Sequence, residues 1–491
     1  MTYFIGVDLG TSSLKMIAAT EEGEILATAS SSFSIISEQV GFSEENPADW
    51  LTAFDLAFIE LIEKFPPLTD GLAAISFSGQ MHSLVMLDQS GRPLRNAILW
   101  NDTRTATEVK ELTAEFGKHL LGVEKNRALE GFTLPKILWV KKHQPELWEK
   151  TWKFMLPKDY LIYYLTGQVF TDRTDASGTI MYDIKRHEWD RTLLDQLKID
   201  VTKCPDILRS TDSAGKLKPA LQEKFGIKSD VAVIMGGADN ACGALGNISD
   251  PSGQALISVG TSGVVLAYAK DVYEVTGKYH CFNSALPEMD YKMGVTLSAG
   301  YSLDWLKKLV APSETFQELT SEVGDVPIGS DGITFNPYLF GERSPYFNPH
   351  LSASFSGLRA HHTRRELVRA VLEGVACSLR NVYEEMELDK GFRVFRITGG
   401  VVKNRDWLQM FADIFNAEME VLELDEGPAF GALLCAIQSV TGVKPGEVLA
   451  KSNVLRDTFI PIAENVEDYQ QVYQRFLIVS QINDQLNREK G

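Results

Sequence analysis

Ile5-Gly6-Val7-Asp8-Leu9-Gly10-Thr11-Ser12-Ser13 and, about 250 residues later, Leu256-Ile257-Ser258-Val259-Gly260-Thr261-Ser262-Gly263 are the two stretches on which the fold reading turns. Each is a β-rich run that breaks at Gly-Thr-Ser and resumes as a second run, Leu14 to Ala19 in one case and Val264 to Tyr268 in the other. Apolar runs joined by a Gly-bearing turn are hairpin signals. A third run, Ile25 to Ala29, follows the turn Glu21-Glu22-Gly23-Glu24. Two strand-GTS-strand units predict two related halves, and the turn-rich stretch Gly246 to Gly253 puts the junction near residue 247, giving domains 1–247 and 248–491.

Between these units the pattern alternates. Ala48 to Lys64 has the spacing of an amphipathic helix, and Gly71 to Phe77 reads as a buried strand ending near a glycine. The alternation continues to a terminal amphipathic helix from Glu464 onward, so the class is α/β.

Composition narrows the function. The chain has 491 residues, enough for two to four domains, and its 48 Lys+Arg against 66 Asp+Glu give a net charge of −18. That field argues against nucleic acid and anionic membranes as partners. No apolar run of about 18 residues and no basic leader followed by an apolar stretch occurs, so neither a membrane span nor a secretion signal is expected. Five scattered cysteines without a C-x-x-C read as thiols in a reducing cytoplasm.

Several segments could carry chemistry. Asp8-Leu9-Gly10-Thr11-Ser12 sets a carboxylate beside a turn with free N–H groups, which suits an anion and a cation but also describes a plain hairpin turn. The second copy at Gly260-Thr261-Ser262 favours two loops gripping one polyphosphate. No P-loop or dinucleotide fingerprint is present. Val231 to Asn240 is a strand that breaks at Gly236-Gly237 and presents Asp239, either as a general base for a substrate hydroxyl or, with Asn240, as a helix N-cap. Ser78-Gly79-Gln80-Met81-His82 and Trp100-Asn101-Asp102-Thr103-Arg104 bunch polar groups after apolar runs, suited to a polyol. Arg393 to Ile397 runs into Thr398-Gly399-Gly400, with a helix expected after Lys403-Asn404; this is a close-approach site or an ordinary turn. Gly427-Pro428-Ala429-Phe430-Gly431-Ala432 opens a further helix.

Together these motifs resemble the FGGY carbohydrate kinases of the actin-like ATPase superfamily, nearly end to end. The resemblance extends to Leu156-Pro157-Lys158-Asp159-Tyr160, Asp175-Ala176-Ser177-Gly178-Thr179, and both family signatures, Gly131 to Val140 and Gly357-Leu358 through Glu373. It implies two duplicated ribonuclease H-like domains with the active site in the cleft, and ATP and Mg²⁺ as cofactors. Residue by residue, it implies that Asp239 is the catalytic base and Asp8 organises the metal. Gln80, Met81, His82, Trp100, Asn101, Asp239 and Asn240 would line the sugar pocket. Thr11, Ser12, Gly260, Thr261 and Ser262 would hold phosphates, while Gly399, Gly400 and Asn404 would face adenosine. The Gly-Gln-Met-His and Trp-Asn-Asp-x-Arg segments imply transfer to the terminal hydroxyl of D-xylulose rather than to gluconate, ribulose or glycerol. A cytoplasmic location and a homodimer as candidate assembly go with it. Two departures stand out: Ser83 replaces a frequent Gly, and Val401-Val402-Lys403 replaces a third Gly and a small residue. A nucleotide-gated assembly or chaperone module is the rival from another class.

Overall fold

The computed structural model describes residues 1–270, 275–389, 391–424 and 426–488. The first 240 residues build a six-stranded sheet from β1 (Tyr3–Leu9), β2 (Ser13–Thr20), β3 (Ile25–Ser32), β4 (Leu72–Gly79), β5 (Ser213–Lys216) and β6 (Ala232–Ala238), in the order β5-β6-β4-β1-β2-β3. The GTS hairpin pairs β1 with β2, and β4 and β6 join β1 in parallel. A seven-stranded sheet follows, built from β7 (Gln254–Val259), β8 (Gly263–Ala269), β9 (His280–Asn283), β10 (Asp290–Thr296), β11 (Val394–Gly399), β12 (Glu418–Leu422) and β13 (Leu455–Phe459). Its order is β9-β10-β8-β7-β11-β12-β13, again an antiparallel hairpin, β7–β8, flanked by parallel β11 and β12. Both sheets therefore place a Gly-Thr-Ser turn at the C-terminal end of a central strand.

One face of the first sheet is covered by helix α1 (Pro47–Lys64), with Trp50, Phe54 and Phe58 buried against Val7 and Phe77. Its start is set by Pro47 in the first turn and by Asn46, whose side chain accepts from Ala48 N at 3.1 Å. The strand expected over Gly71 to Phe77 starts one residue later and runs on to Gly79, because Ser76 and Ser78 continue the parallel register with β1. Further helices used below are α2 (Ala106–Gly122), α3 (Thr133–His143), α4 (Pro157–Thr166), α5 (Arg173–Ser177), α6 (Arg191–Gln196) and α7 (Asp239–Leu245). The second half contributes α8 (Gly300–Val310), α9 (Arg364–Glu385), α10 (Arg405–Phe415), α11 (Gly427–Thr441) and α12 (Ala463–Arg488).

The first half has one apolar cluster of its own, under α1, and shares a second with the other half. Helix α11, late in the chain, lies on β1, β4 and α7 of the first half, so Phe4, Ala241, Phe430 and Leu433 belong to one apolar cluster with Ile257 and Phe395. Glycines make the approach possible. A Cβ on Gly6 would stand 2.1 Å from Ala429 O, one on Gly431 1.9 Å from Cys242 O, and one on Gly246 2.1 Å from Gly427 O. The motif Gly427 to Ala432 is thus a seat between halves.

Gly431→Ala should therefore force α7 and α11 apart. A loss of about 1–3 kcal/mol is expected, read as a lower denaturant midpoint; an unchanged midpoint would show that the helices are not held at this spacing.

Candidate active site

Asp8 sits one residue before the end of β1, opposite Ser78 of β4 and Lys15 of β2. Asp239 opens α7 directly after β6. The strand reaches that point through a bulge: Gly236 has φ +65°, and a Cβ there would stand 1.7 Å from Phe77 O. Both residues are half-buried, their carboxyl groups largely removed from water. Burial raises Asp8 to about 6, against the pull of Ser78 and Lys15, and raises Asp239 to about 7, with the charge of Asp8 adding to the rise. Asp8 Oδ1 has no hydrogen-bond partner among the described residues. The capping alternative does not hold: Ala238 occupies the N-cap, and Asp239 Oδ1 accepts from Asn240 N at 2.7 Å and from its Nδ2 at 2.9 Å.

Asn240, Met81 and His82 come together beside Asp239. Asn240 Nδ2 lies 3.6 Å from Met81 Sδ, and Met81 and His82 both lie over Gly178, where a Cβ would meet each at about 3 Å. His82 has φ +68°, an uncommon backbone state for a side-chain-bearing residue. Its carbonyl accepts from Thr133 Oγ1 at 3.0 Å and from the buried Lys136 ammonium at 3.2 Å, both from α3 in the first signature. Burial holds the imidazole well below its ordinary range, with Lys136 adding to the effect, so the ring is neutral. Nδ1 donates to Gly178 O at 2.7 Å, which leaves Nε2 as the ring's acceptor.

The other expected residues divide. Trp100 donates Nε1–H to Thr11 Oγ1 at 3.0 Å, tying it to the first loop, while Asn101 is exposed in the following turn. Gln80 is buried and already engaged: Nε2 donates to Glu45 Oε2 at 2.9 Å and Oε1 accepts from Ser83 Oγ at 3.0 Å. Ser83 thus takes a structural part, and its Oγ also accepts from Trp100 N. The hydroxyl-bearing tip of the first loop is partly exposed at Thr11 and exposed at Ser12, and Gly260, Thr261 and Ser262 are exposed at the equivalent tip. The second loop is braced by α8, with Ala299 N and Gly300 N donating to Thr261 O and Gly260 O at 2.9 and 2.8 Å.

A cavity of about 870 Å³ opens beside it, with Gly260, Thr261, Tyr301, Gly400 and Asn404 on its walls. Gly399 stands behind that wall. Its φ is +92°, and a Cβ would lie 2.4 Å from Val259 O, so the position demands glycine for packing. Asn404 caps α10, accepting from Trp407 N at 2.9 Å, and donates to Thr320 Oγ1 at 3.0 Å.

Three residues to which the sequence reading gave no role support Asp239. Lys158 at the start of α4 is fully buried, 2.6 Å from Asp159, 2.9 Å from Asp172 and 3.1 Å from Asp175. Burial alone would lower its pKa, but the three carboxylates outweigh it and hold the ammonium charged. Asp172 Oδ2 accepts from Thr174 Oγ1 at 2.6 Å, and Thr174 Oγ1 accepts in turn from Ala238 N at 2.8 Å, the amide just before Asp239. The only sequence signal was the polar Pro157-Lys158-Asp159 following an apolar run.

Glu45 offers a test of this polar interior. Its Oε2 accepts from Trp50 Nε1 at 2.8 Å as well as from Gln80, and burial raises its pKa to about 7. The folded chain holds that proton more tightly than the unfolded chain, so the contribution is fully present below about 4.5 and is lost as pH rises through about 7. Glu45→Gln keeps an acceptor without the charge. Its stability relative to the parent should rise between pH 5 and pH 8 by on the order of 1–3 kcal/mol, measured by denaturant unfolding at each pH; a pH-independent difference would rule out the buried proton.

Known proteins share this arrangement. The family model described as "FGGY family of carbohydrate kinases, N-terminal domain" matches residues 3–246, and its C-terminal counterpart matches residues 255–439. The xylulose kinase of Bacillus subtilis is 43% identical over 96% of this chain and 95% of its own. The ligand-bound crystal structure of a xylulose kinase from Lactobacillus acidophilus superposes with a TM-score of 0.94 at 27% identity, covering 100% of both chains. A gluconate kinase from the same organism reaches 0.93 at 27% identity and the same coverage, so the shape of the chain does not by itself choose the sugar. With one matched family domain over each half, and Asp8 and Asp239 on the two strands that flank β4 in the first, the chain belongs to the FGGY family of carbohydrate kinases.

Proposed function

We propose that the chain transfers the γ-phosphoryl group of ATP to the terminal hydroxyl of D-xylulose, giving D-xylulose 5-phosphate. The observation that carries this reading is the convergence of Met81, His82 and Asn240 on Asp239, in a chain 43% identical to a xylulose kinase. Residues 1–247 act as the sugar-binding domain and 248–491 as the adenosine-binding domain.

Asp239 accepts the proton of the attacking hydroxyl. Raised to about 7, its carboxylate is a stronger base than an exposed one, yet still largely ionised just above neutrality. Thr174 and Lys158 hold the strand end that carries it. Neutral His82 offers Nε2 as acceptor to a sugar hydroxyl, and Asn240 and Trp100 complete the pocket with Asn101 at its rim; Gln80 shapes the pocket floor from behind. Thr11 and Ser12 with Gly260, Thr261 and Ser262 hold the phosphates, and the cavity lined by Gly400 and Asn404, with Gly399 behind it, takes the adenosine. Asp8, with a buried oxygen that no described residue bonds and the charge of Asp239 nearby, suits a hard divalent cation and would hold Mg²⁺. When bound, Mg²⁺ supplies neutralisation of the charge that develops on the transferring phosphoryl group. The remaining rate enhancement comes from positioning and fixed dipoles.

A sugar acid is the second reading, and one feature favours it. Arg343, from the second half, adds positive potential at His82, with Glu130 and Glu342 as the carboxylates that partly offset its charge. A cytoplasmic enzyme fits substrates made and used inside the cell. A homodimer would use the exposed Ile478, Ile482 and Leu486, one face of α12.

A panel of D-xylulose, D-ribulose, gluconate and glycerol should give the highest kcat/KM for D-xylulose; gluconate ranking first would transfer the assignment to the sugar-acid reading. Asp239→Asn should lower kcat by about a thousandfold, and sugar-dependent ADP release near the parent rate would remove Asp239 as base. Thr174→Val should lower kcat more than it raises KM, with Thr174→Ser restoring most of the loss. Equal behaviour of the two variants would exclude the hydroxyl's part.

A further inference from the structure

Outside the nucleotide and sugar residues, the segment inserted between β4 and β5 gathers three metal-ligating side chains to which the kinase reading gives no role. His119 stands in the last turn of α2, Glu124 two residues beyond that helix, and Asp190 at the N-cap of α6. His119 Nε2 lies 2.5 Å from Asp190 Oδ2, while Asp190 Oδ1 is occupied by Leu193 N at 3.2 Å. Glu124 is fully buried: its carboxyl hydrogen-bonds that of Asp190, and no other described side chain donates to it. The imidazole nitrogen and one oxygen from each carboxylate all lie within 4.8 Å of one another. Two carboxylates facing each other out of water need either a shared proton or a cation between them.

We propose that His119, Glu124 and Asp190 form a binding site for one divalent transition-metal ion, zinc in the first instance, separate from the Mg²⁺ of phosphoryl transfer. One imidazole and two carboxylates suit zinc, and the nitrogen donor disfavours Mg²⁺ and Ca²⁺. Donors about 2.1 Å from a tetrahedral ion stand roughly 3.4 Å apart, so side-chain rotation on two stretches, residues 119–124 and Asp190, must open the His119–Asp190 pair from 2.5 Å and bring Glu124 in. His119, with 31% of its side chain exposed, gives the entry path, and water takes the fourth position. Asp183 and Lys125 are the other charges that face Glu124.

The site's position gives it a consequence. Asn126, two residues after Glu124, reaches the edge strand β9 of the second half: Nδ2 donates to Cys281 O at 2.7 Å, and Oδ1 accepts from Cys281 N at 3.3 Å and lies 3.0 Å from His280 Nδ1. A metal that fixes Glu124 stiffens this latch between halves.

The test uses the full chain in excess Mg²⁺, so that the carboxylates of the reaction site are not available to zinc. Zinc is titrated against a chromophoric chelator for the parent chain, His119→Ala and Glu124→Gln. The parent should hold one equivalent, each variant should bind it at least about tenfold more weakly, and all three should keep the same kcat with Mg·ATP. Zinc should also raise the unfolding midpoint of the parent by a few degrees and leave that of His119→Ala where it was. A parent that holds no equivalent overturns the proposal. So does an equivalent retained by His119→Ala, which would point to the exposed trio Asp331, His361 and His362. Because zinc binding is read without the sugar reaction, failure here leaves the kinase assignment standing, and a wrong sugar leaves the zinc site standing.

Discussion

Two like charges, each largely removed from water, are the constraint around which this molecule is arranged. Asp8 and Asp239 come from β1 and from the end of β6, the two strands that flank β4, and each is buried enough to resist ionisation. No single strand supplies such a pair. It requires parallel strands whose C-terminal ends lie on one side of the sheet and a bulge at Gly236 just before Asp239. The carboxylates are costly without a substrate, and that cost is what makes them ready to take a proton or a cation when one arrives.

The cost is met in the layer behind. Lys158 gathers three buried carboxylates, one of which, Asp172, fixes Thr174, whose hydroxyl accepts the amide before Asp239. Just beyond this stretch, Gly178 O fixes the His82 ring, and Ser177 Oγ accepts from Asn283 N of the second half. The short helix α5 and its flanks thus connect Asp239, the His82 imidazole and the other half of the molecule. Breaking a buried ionic cluster by removing one partner leaves uncompensated charge, so such a cluster tolerates little change.

Much of the candidate site was legible because its residues sit at points where a strand must end. Asp8, Gly10 to Ser12, Gly260 to Ser262 and Gly236 to Asn240 are punctuation that local chemistry makes visible. What could not be read was which polar groups are already occupied. Gln80 looks like a sugar contact in the sequence, but its amide joins Glu45 to Ser83; Asn404 looks like an adenosine contact, and its amide caps α10. A side chain's partners 35 residues away, as with Gln80 and Glu45, leave no trace in local spacing.

The sequence by itself determined the class, the duplicated Gly-Thr-Ser hairpins and the residues at strand ends, because period, turn chemistry and glycine requirements act over a few residues. Tertiary structure alone decided that α11, from residue 427 onward, would complete the core of a sheet begun at residue 3. It also decided that Lys158 would stand behind Asp239 and that His119 would meet Asp190. Those outcomes depend on burial and close approach between segments far apart in the chain, and the free energies that settle them are paid or recovered only when the whole core excludes water.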